Sequence, residues 1–181
     1  MNRIRIGLLI TAVGAVAGYC IIQGTVLPEA TNPPSFAVRR PNVSSCPRES
    51  LTIKEGETDA AMGGVRRTPF VIKNDSSSAC TLEGYPAFEL LNKAGSVVKR
   101  ATKQKTDDPV TPATLEPGKT AWFALNHNAG GAGYMGKPCP TYTRVRISLP
   151  TMTRPFILRS GIQTCAQTDF EVTAINAGAP E

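Results

Sequence analysis

Apolar and polar residues alternate with a period of two through most of the chain, most clearly at Arg144-Val145-Arg146-Ile147-Ser148-Leu149. In an extended strand, Val145, Ile147 and Leu149 fall on one face and the polar residues on the other. Comparable stretches run over 51–54, 67–73, 87–91, 96–101, 120–125, 154–158 and 170–175. Turn chemistry separates them: Glu55-Gly56, Asn74-Asp75-Ser76-Ser77-Ser78, Gly84-Tyr85-Pro86, Asn92-Lys93-Ala94-Gly95, Pro117-Gly118 and Pro150-Thr151. No window after residue 30 shows a capped amphipathic helix, and no internal repeat is present. Seven or eight short strands with frequent turns predict an all-β fold, an antiparallel β-sandwich.

The N-terminus follows a different pattern. Arg3 and Arg5 precede an uncharged run from Ile6, which continues to Leu27. As a helix, residues 6–22 would span about 26 Å and residues 6–27 about 33 Å, against a hydrocarbon core of about 30 Å. Basic residues ahead of the run place the N-terminus in the cytoplasm and the remainder outside. An uncleaved anchor to the cytoplasmic membrane is the favoured fate. The alternatives are removal after Ala15-Val16-Ala17, giving a secreted or periplasmic protein, and lipidation at Cys20. Cys20 has Ala17 and Tyr19 where a lipid-attachment motif wants a large aliphatic and a small residue. Gly14 and Gly18 have the spacing of close-packing membrane helices, a pattern common in any Gly- and Ala-rich segment.

The expected organisation is therefore a signal peptide or anchor helix over 1–27, a Pro-rich linker over 28–43, a β-sandwich domain over 44–176 and a short tail over 177–181. Four prolines between Pro28 and Pro41 favour an extended spacer.

Composition narrows the function. The chain has 181 residues, a net charge of +6, 15 prolines, 16 glycines, five cysteines and one histidine. A single histidine excludes multi-histidine metal centres, and no cofactor is expected. Cys46, Cys80, Cys139 and Cys165 form an even set in an exported domain, as disulfides require. They lack the C-x₂₋₄-C spacing of metal knuckles and the C-x-x-C redox motif. Three connectivities are open; the sequential one, Cys46–Cys80 with Cys139–Cys165, is favoured. Each bridge would contribute roughly 3.5–4 kcal/mol in the chain-entropy description.

Candidate binding residues are few. Asn126, His127 and Asn128 lead into a glycine-rich stretch ending at Tyr134, which reads as a loop whose backbone a ligand could approach. The lone histidine reads more simply as a surface residue. Lys99, Arg100, Lys103 and Lys105 place four positive charges within seven residues. They suit an anionic envelope polymer, a lipid surface or a partner protein, with no nucleic acid expected; the plainer reading is a lysine-protected edge strand. Ser76–Ser78 lack a G-x-S-x-G elbow, so a metal-independent hydrolase using Ser78 or His127 is the weaker alternative to a binding or structural module. Asn42-Val43-Ser44 and Asn74-Asp75-Ser76 match the glycosylation sequon, a weak signal in any exported chain.

One ordered set of landmarks adds to this. Cys46 precedes the strand Leu51-Thr52-Ile53; the block Asn74 to Pro86 carries Asn74, Ser76, Cys80, Leu82, Gly84-Tyr85-Pro86; Leu115-Glu116-Pro117-Gly118, Cys139 and Cys165 follow. This resembles the bacterial family catalogued as domain of unknown function 4232, over about residues 46–175, with one residue more than the family motif between Asn74 and Cys80. The resemblance implies an immunoglobulin-like sandwich, exported or lipid-anchored, with paired cysteines and no established activity. It supplies no catalytic residue. Tyr85, beside Gly84 and Pro86, reads as a structural corner.

Overall fold

The computed structural model describes residues 43–60, 62–130 and 138–180. The expectations for the membrane run, Cys20, the linker up to residue 42 and Tyr134 lie outside these residues.

The described chain is all-β, with two 3₁₀ turns (Arg48–Ser50 and Met62–Gly64) as its helical elements. Its strands, in chain order, are β1 (Leu51–Glu55), β2 (Asp59–Ala60), β3 (Val65–Asn74), β4 (Cys80–Leu82), β5 (Ala87–Leu91), β6 (Val97–Arg100) and β7 (Thr102–Lys103). They continue with β8 (Ala113–Leu115), β9 (Thr120–Asn128), β10 (Thr141–Ser148), β11 (Phe156–Gln163), β12 (Phe170–Val172) and β13 (Asn176–Ala177). Seven form one sheet in the order β1-β3-β9-β12-β7, with β2 on β3 and β13 on β9. Four form a second sheet, β11-β10-β5-β6, and β4 pairs with β8 alone.

The two larger sheets share one hydrophobic core. Phe70 on β3 sits opposite Phe123 on β9, with ring centroids 5.3 Å apart. Phe88 from the second sheet meets Phe70 at 5.1 Å, and Phe170 on β12 meets Phe88 at 6.0 Å. Burying each of these rings is worth about 1.5–3 kcal/mol. The inward positions are those the alternation marks: Leu51 and Ile53, Phe70 and Ile72, Phe88 and Leu90, Val145 and Ile147.

Pro69 stands inside β3, a central strand, where a missing N–H would normally break the ladder. It does no damage here. Its carbonyl accepts from Gly56 N at 2.8 Å, so its nitrogen faces the same side, where the chain leaves the sheet between β1 and β2.

Cys46 bonds to Cys80 and Cys139 to Cys165, each pair with Cα atoms 4.7 Å apart, which is the sequential connectivity. The pairs close separations of 34 and 26 residues. The first ties the start of the domain to β4, beside the bridge from Ser45 to Thr81. Several short strands, β2, β4, β7, β8 and β13, have too few residues to show a period. Asn176 and Ala177 pair with Trp122 and Ala121, so strand pairing passes the expected boundary at 176.

Candidate functional site

The outer face of the second sheet is dominated by arginine. On β10, Arg144 and Arg146 point away from Val145 and Ile147, which are buried. Register then decides their neighbours. Arg146 lies beside Glu89 of β5 and Ile157 of β11, and Glu89 lies beside Arg100 of β6. Glu89 receives Arg146 Nε at 2.5 Å on one oxygen and Arg100 Nε at 2.8 Å on the other. Its side chain is 13% exposed, and the Arg146 hydrogen bond holds its carboxyl below the usual carboxylate range against the opposing effect of burial. The same contact raises the Arg146 guanidinium.

The next row has no such acid. Arg144 stands directly opposite Arg159 of β11, with Leu91 on its other side. Both are exposed, and neither side chain forms a hydrogen bond or ion pair among the described residues. Like charges opposite one another on a sheet are destabilising. Four arginines thus share this face with a single glutamate, next to the half-exposed apolar side chains of Val98 and Ile157. The alternation showed Arg144 and Arg146 to be solvent-facing, but Arg159 and Glu89 join them only through strand pairing.

The basic cluster expected from sequence is dispersed. Lys99 and Arg100 are neighbours on β6 and point to opposite faces, and the chain changes sheets before Lys103 on β7. Lys99 turns inward: Nζ donates to the carbonyls of Cys165 and Thr168 at 2.6 and 3.0 Å and lies 5.1 Å from the centroid of Phe170. Burial lowers its pKa. Lys103 lies over the Tyr85 ring at 5.4 Å, and Lys105 is exposed. Only Arg100 contributes to the arginine face. Both β6 and β7 are edge strands, but Lys103 alone of these lysines stands exposed on one, and the four residues form no single patch.

Asn126, His127 and Asn128 are not loop residues; they complete β9. The period of two simply continues past Leu125, with His127 as the next inward residue, 4% exposed. Both ring nitrogens are occupied. Nδ1 donates to Gln163 O at 2.9 Å, so Nε2 accepts from Thr68 Oγ1 at 3.0 Å, which in turn takes the Thr58 hydroxyl at 2.9 Å. Asn126 donates to Gln104 Oε1, and Asn128 Oδ1 accepts from Gly130 N. Ser78 and His127 lie at opposite ends of β3, since His127 pairs with Arg66 and Ser78 follows Asn74, about 26 Å further along the strand. They cannot serve one reaction centre.

Burial, reinforced by Arg66 and Lys99, pushes the His127 pKa down, outweighing the Gln163 bond. The unfolded chain then binds more protons than the native one below about pH 6.5. Stability is therefore expected to be full above that pH and to fall as the pH drops through this window. Asp75, lowered by its bond to Lys73, and Glu89 act only at more acid pH. Urea midpoints measured from pH 7 to pH 5 should decline in the native protein and stay level in His127→Gln; parallel slopes would remove His127 as the cause.

The landmark residues of the chain converge on Asn74. This side chain is fully buried: Nδ2 donates to Ser78 O and Leu115 O at 2.8 and 2.9 Å, and Oδ1 accepts from Ser76 N and Oγ at 3.0 and 2.8 Å. Its backbone N donates to Lys119 O and its carbonyl accepts from Gly118 N. Pro117 and Gly118 form the turn closed by Lys119 N on Glu116 O, with Gly118 at φ 75°, a conformation that suits glycine. A sequence model for the family described as domain of unknown function (DUF4232) matches residues 46–179. The chain belongs to this family. No curated protein matches the chain.

In this DUF4232 domain the recognisable blocks are structural. Asn74 binds the strand-ending turn to the Leu115–Gly118 turn, and the Cys46–Cys80 bridge closes the same region. The sequon at Asn74 is unusable, because its amide is buried and fully bonded. Tyr85 follows Gly84, whose carbonyl accepts from Ile175 N, and its ring lies under Lys103. The two disulfides indicate an oxidising, extracytoplasmic environment. Among the described residues no helix is long and apolar enough to cross a membrane.

Proposed function

We propose that the protein is a binding module of the bacterial envelope, an immunoglobulin-like sandwich held outside the cytoplasmic membrane by its N-terminal hydrophobic segment. Its binding surface is the arginine face of the sheet β11-β10-β5-β6, and its partner is an anionic envelope polymer. The observation carrying this reading is Arg144 opposite Arg159 with no acid beside them. A stable fold gains nothing from that pair, whereas a polyanion seated across β10 and β11 would neutralise it. Arginine forks suit phosphate and carboxylate groups alike. The spacer would let the face reach material near the membrane. The spaced cysteines and the lack of a second histidine favour a binding role over an enzymatic one.

The test is fluorescence anisotropy with labelled long-chain polyphosphate and the full-length protein in nonionic detergent. Binding is expected at 50 mM salt and should weaken steeply by 200 mM. The double variant Arg144→Ser/Arg159→Ser should bind at least tenfold more weakly and lower the salt slope by about two. Its unfolding midpoint should equal or exceed that of the native protein. Lys105→Ser should bind unchanged. Equal affinity in the double variant would refute the assignment.

A further inference from the structure

A second feature lies where the chain turns from β10 to β11. Two clefts of about 270 and 220 Å³ share Arg48, Glu49 and Arg154 as walls. The larger is completed by Cys46, Pro47 and the segment 151–153.

Arg48 is held with its guanidinium carbon 3.3 Å from the centroid of the Phe156 ring. Stacking of this kind sets the plane of the fork and leaves its terminal nitrogens to meet a ligand. The backbone under it is fixed as well, by the Cys46–Cys80 bridge and by Ser50, whose N and Oγ both donate to Pro47 O. Arg48 Nε is buried and has no hydrogen-bond partner among the described residues. A buried, charged donor left unmatched is uncommon in folded proteins.

Arg154 is tethered only to Glu49, at 3.5 Å, and both side chains are exposed. Such a pair is weak and yields to a better-placed anion. Thr151 at the cleft wall is the one non-glycine residue with positive φ among those described, at 67°. A β-branched residue in that conformation is strained, and strain of this kind collects at functional sites.

We infer that these clefts form a site for a phosphate group, monoester or diester, held by Arg48 and Arg154. A carboxylate offers two oxygens in one plane, and Glu49 already supplies that to Arg154. A tetrahedral oxyanion presents oxygens in three dimensions, enough to meet the fixed Arg48 fork, Arg154 and the Thr153 hydroxyl on the wall together. The site is separate from the sheet face and stands or falls independently of it.

The experiment follows the backbone amide resonances of residues 48–50 and 151–154 of full-length protein in nonionic detergent during titration with inorganic phosphate. Sodium chloride at matched ionic strength is the control. A saturable shift seen with phosphate alone is expected. Affinity should fall at least tenfold in Arg48→Lys, which keeps the charge but loses the fork, and in Arg154→Ala. Arg144→Ser/Arg159→Ser, which removes polymer binding by the sheet face, should leave it unchanged. Vesicles of phosphatidylglycerol in phosphatidylcholine then distinguish the source. Competition with inorganic phosphate identifies a lipid headgroup as the ligand, and no competition identifies a soluble phosphate. A shift identical in chloride, or an unchanged affinity in Arg48→Lys, would overturn the site.

Discussion

Asn74→Asp is expected to destabilise the protein more than Asn74→Ala, although aspartate is nearly the same shape. The native amide donates to two carbonyls, Ser78 O and Leu115 O, and accepts from Ser76 with its oxygen. Alanine abandons these bonds and leaves the two carbonyls without donors, at about 1–3 kcal/mol for each unmatched buried group. Aspartate keeps the acceptor and turns a second oxygen toward the same carbonyls, adding a buried charge with no cation on it. That penalty is about 3–5 kcal/mol, a large part of the usual total stability of about 5–15 kcal/mol. Protonation would restore one donor, so the folded carboxyl is raised above its unfolded value. The variant should therefore be least unstable in acid and lose stability as the pH rises past about 4. Urea unfolding followed by Trp122, the single tryptophan, measures this. A variant within 1 kcal/mol of native at pH 7 would show that Asn74 does not hold the two turns together.

Cys46→Ser/Cys80→Ser is expected to lower stability by about 3.5–4 kcal/mol through the longer of the two closed loops. The loss concentrates at one end. Cys80 begins β4, which pairs only with β8, and Cys46 N donates to Thr81 O. Without the bridge, the small sheet and the first residues of the domain are tied down by few other contacts. Hydrogen exchange should accelerate first at residues 80–82 and 113–115, while the β3–β9 ladder stays protected until global unfolding. Uniform exchange across both regions would mean that the bridge acts on the whole domain rather than on this end. A midpoint change equivalent to less than 1 kcal/mol would contradict its structural role.

These two sites differ in how visible they are in the sequence. The cysteines announce themselves by number and spacing, and their sequential pairing is the one found. Asn74 reads as a turn former, which it is, but its bond to Leu115 spans 41 residues and has no local signature. The environment of His127 is hidden from the sequence for a related reason. Flanked by two asparagines and followed by glycines, the residue looks like the start of a loop, yet it occupies an inward position whose polar atoms Thr68 and Gln163 satisfy. The lysine cluster misled in the opposite direction. Proximity in sequence suggested a patch, while strand alternation and a change of sheet after Arg100 separate its members.

Local order was enough to establish an all-β chain, its principal strands, its turns at Asn74 and Pro117-Gly118, and its stapled, extracytoplasmic character. Each of these rests on a period of two, on backbone preferences or on a count of thiols, all readable within a few residues. The surfaces were settled by pairing. Arg144 and Arg159 belong to separate strands, Glu89 and Arg100 to two more, and Arg48 meets Phe156 across more than a hundred residues. Neither the opposed arginines nor the stacked one exists until register brings distant positions onto one face, because strand alternation specifies which way a side chain points but not what stands beside it.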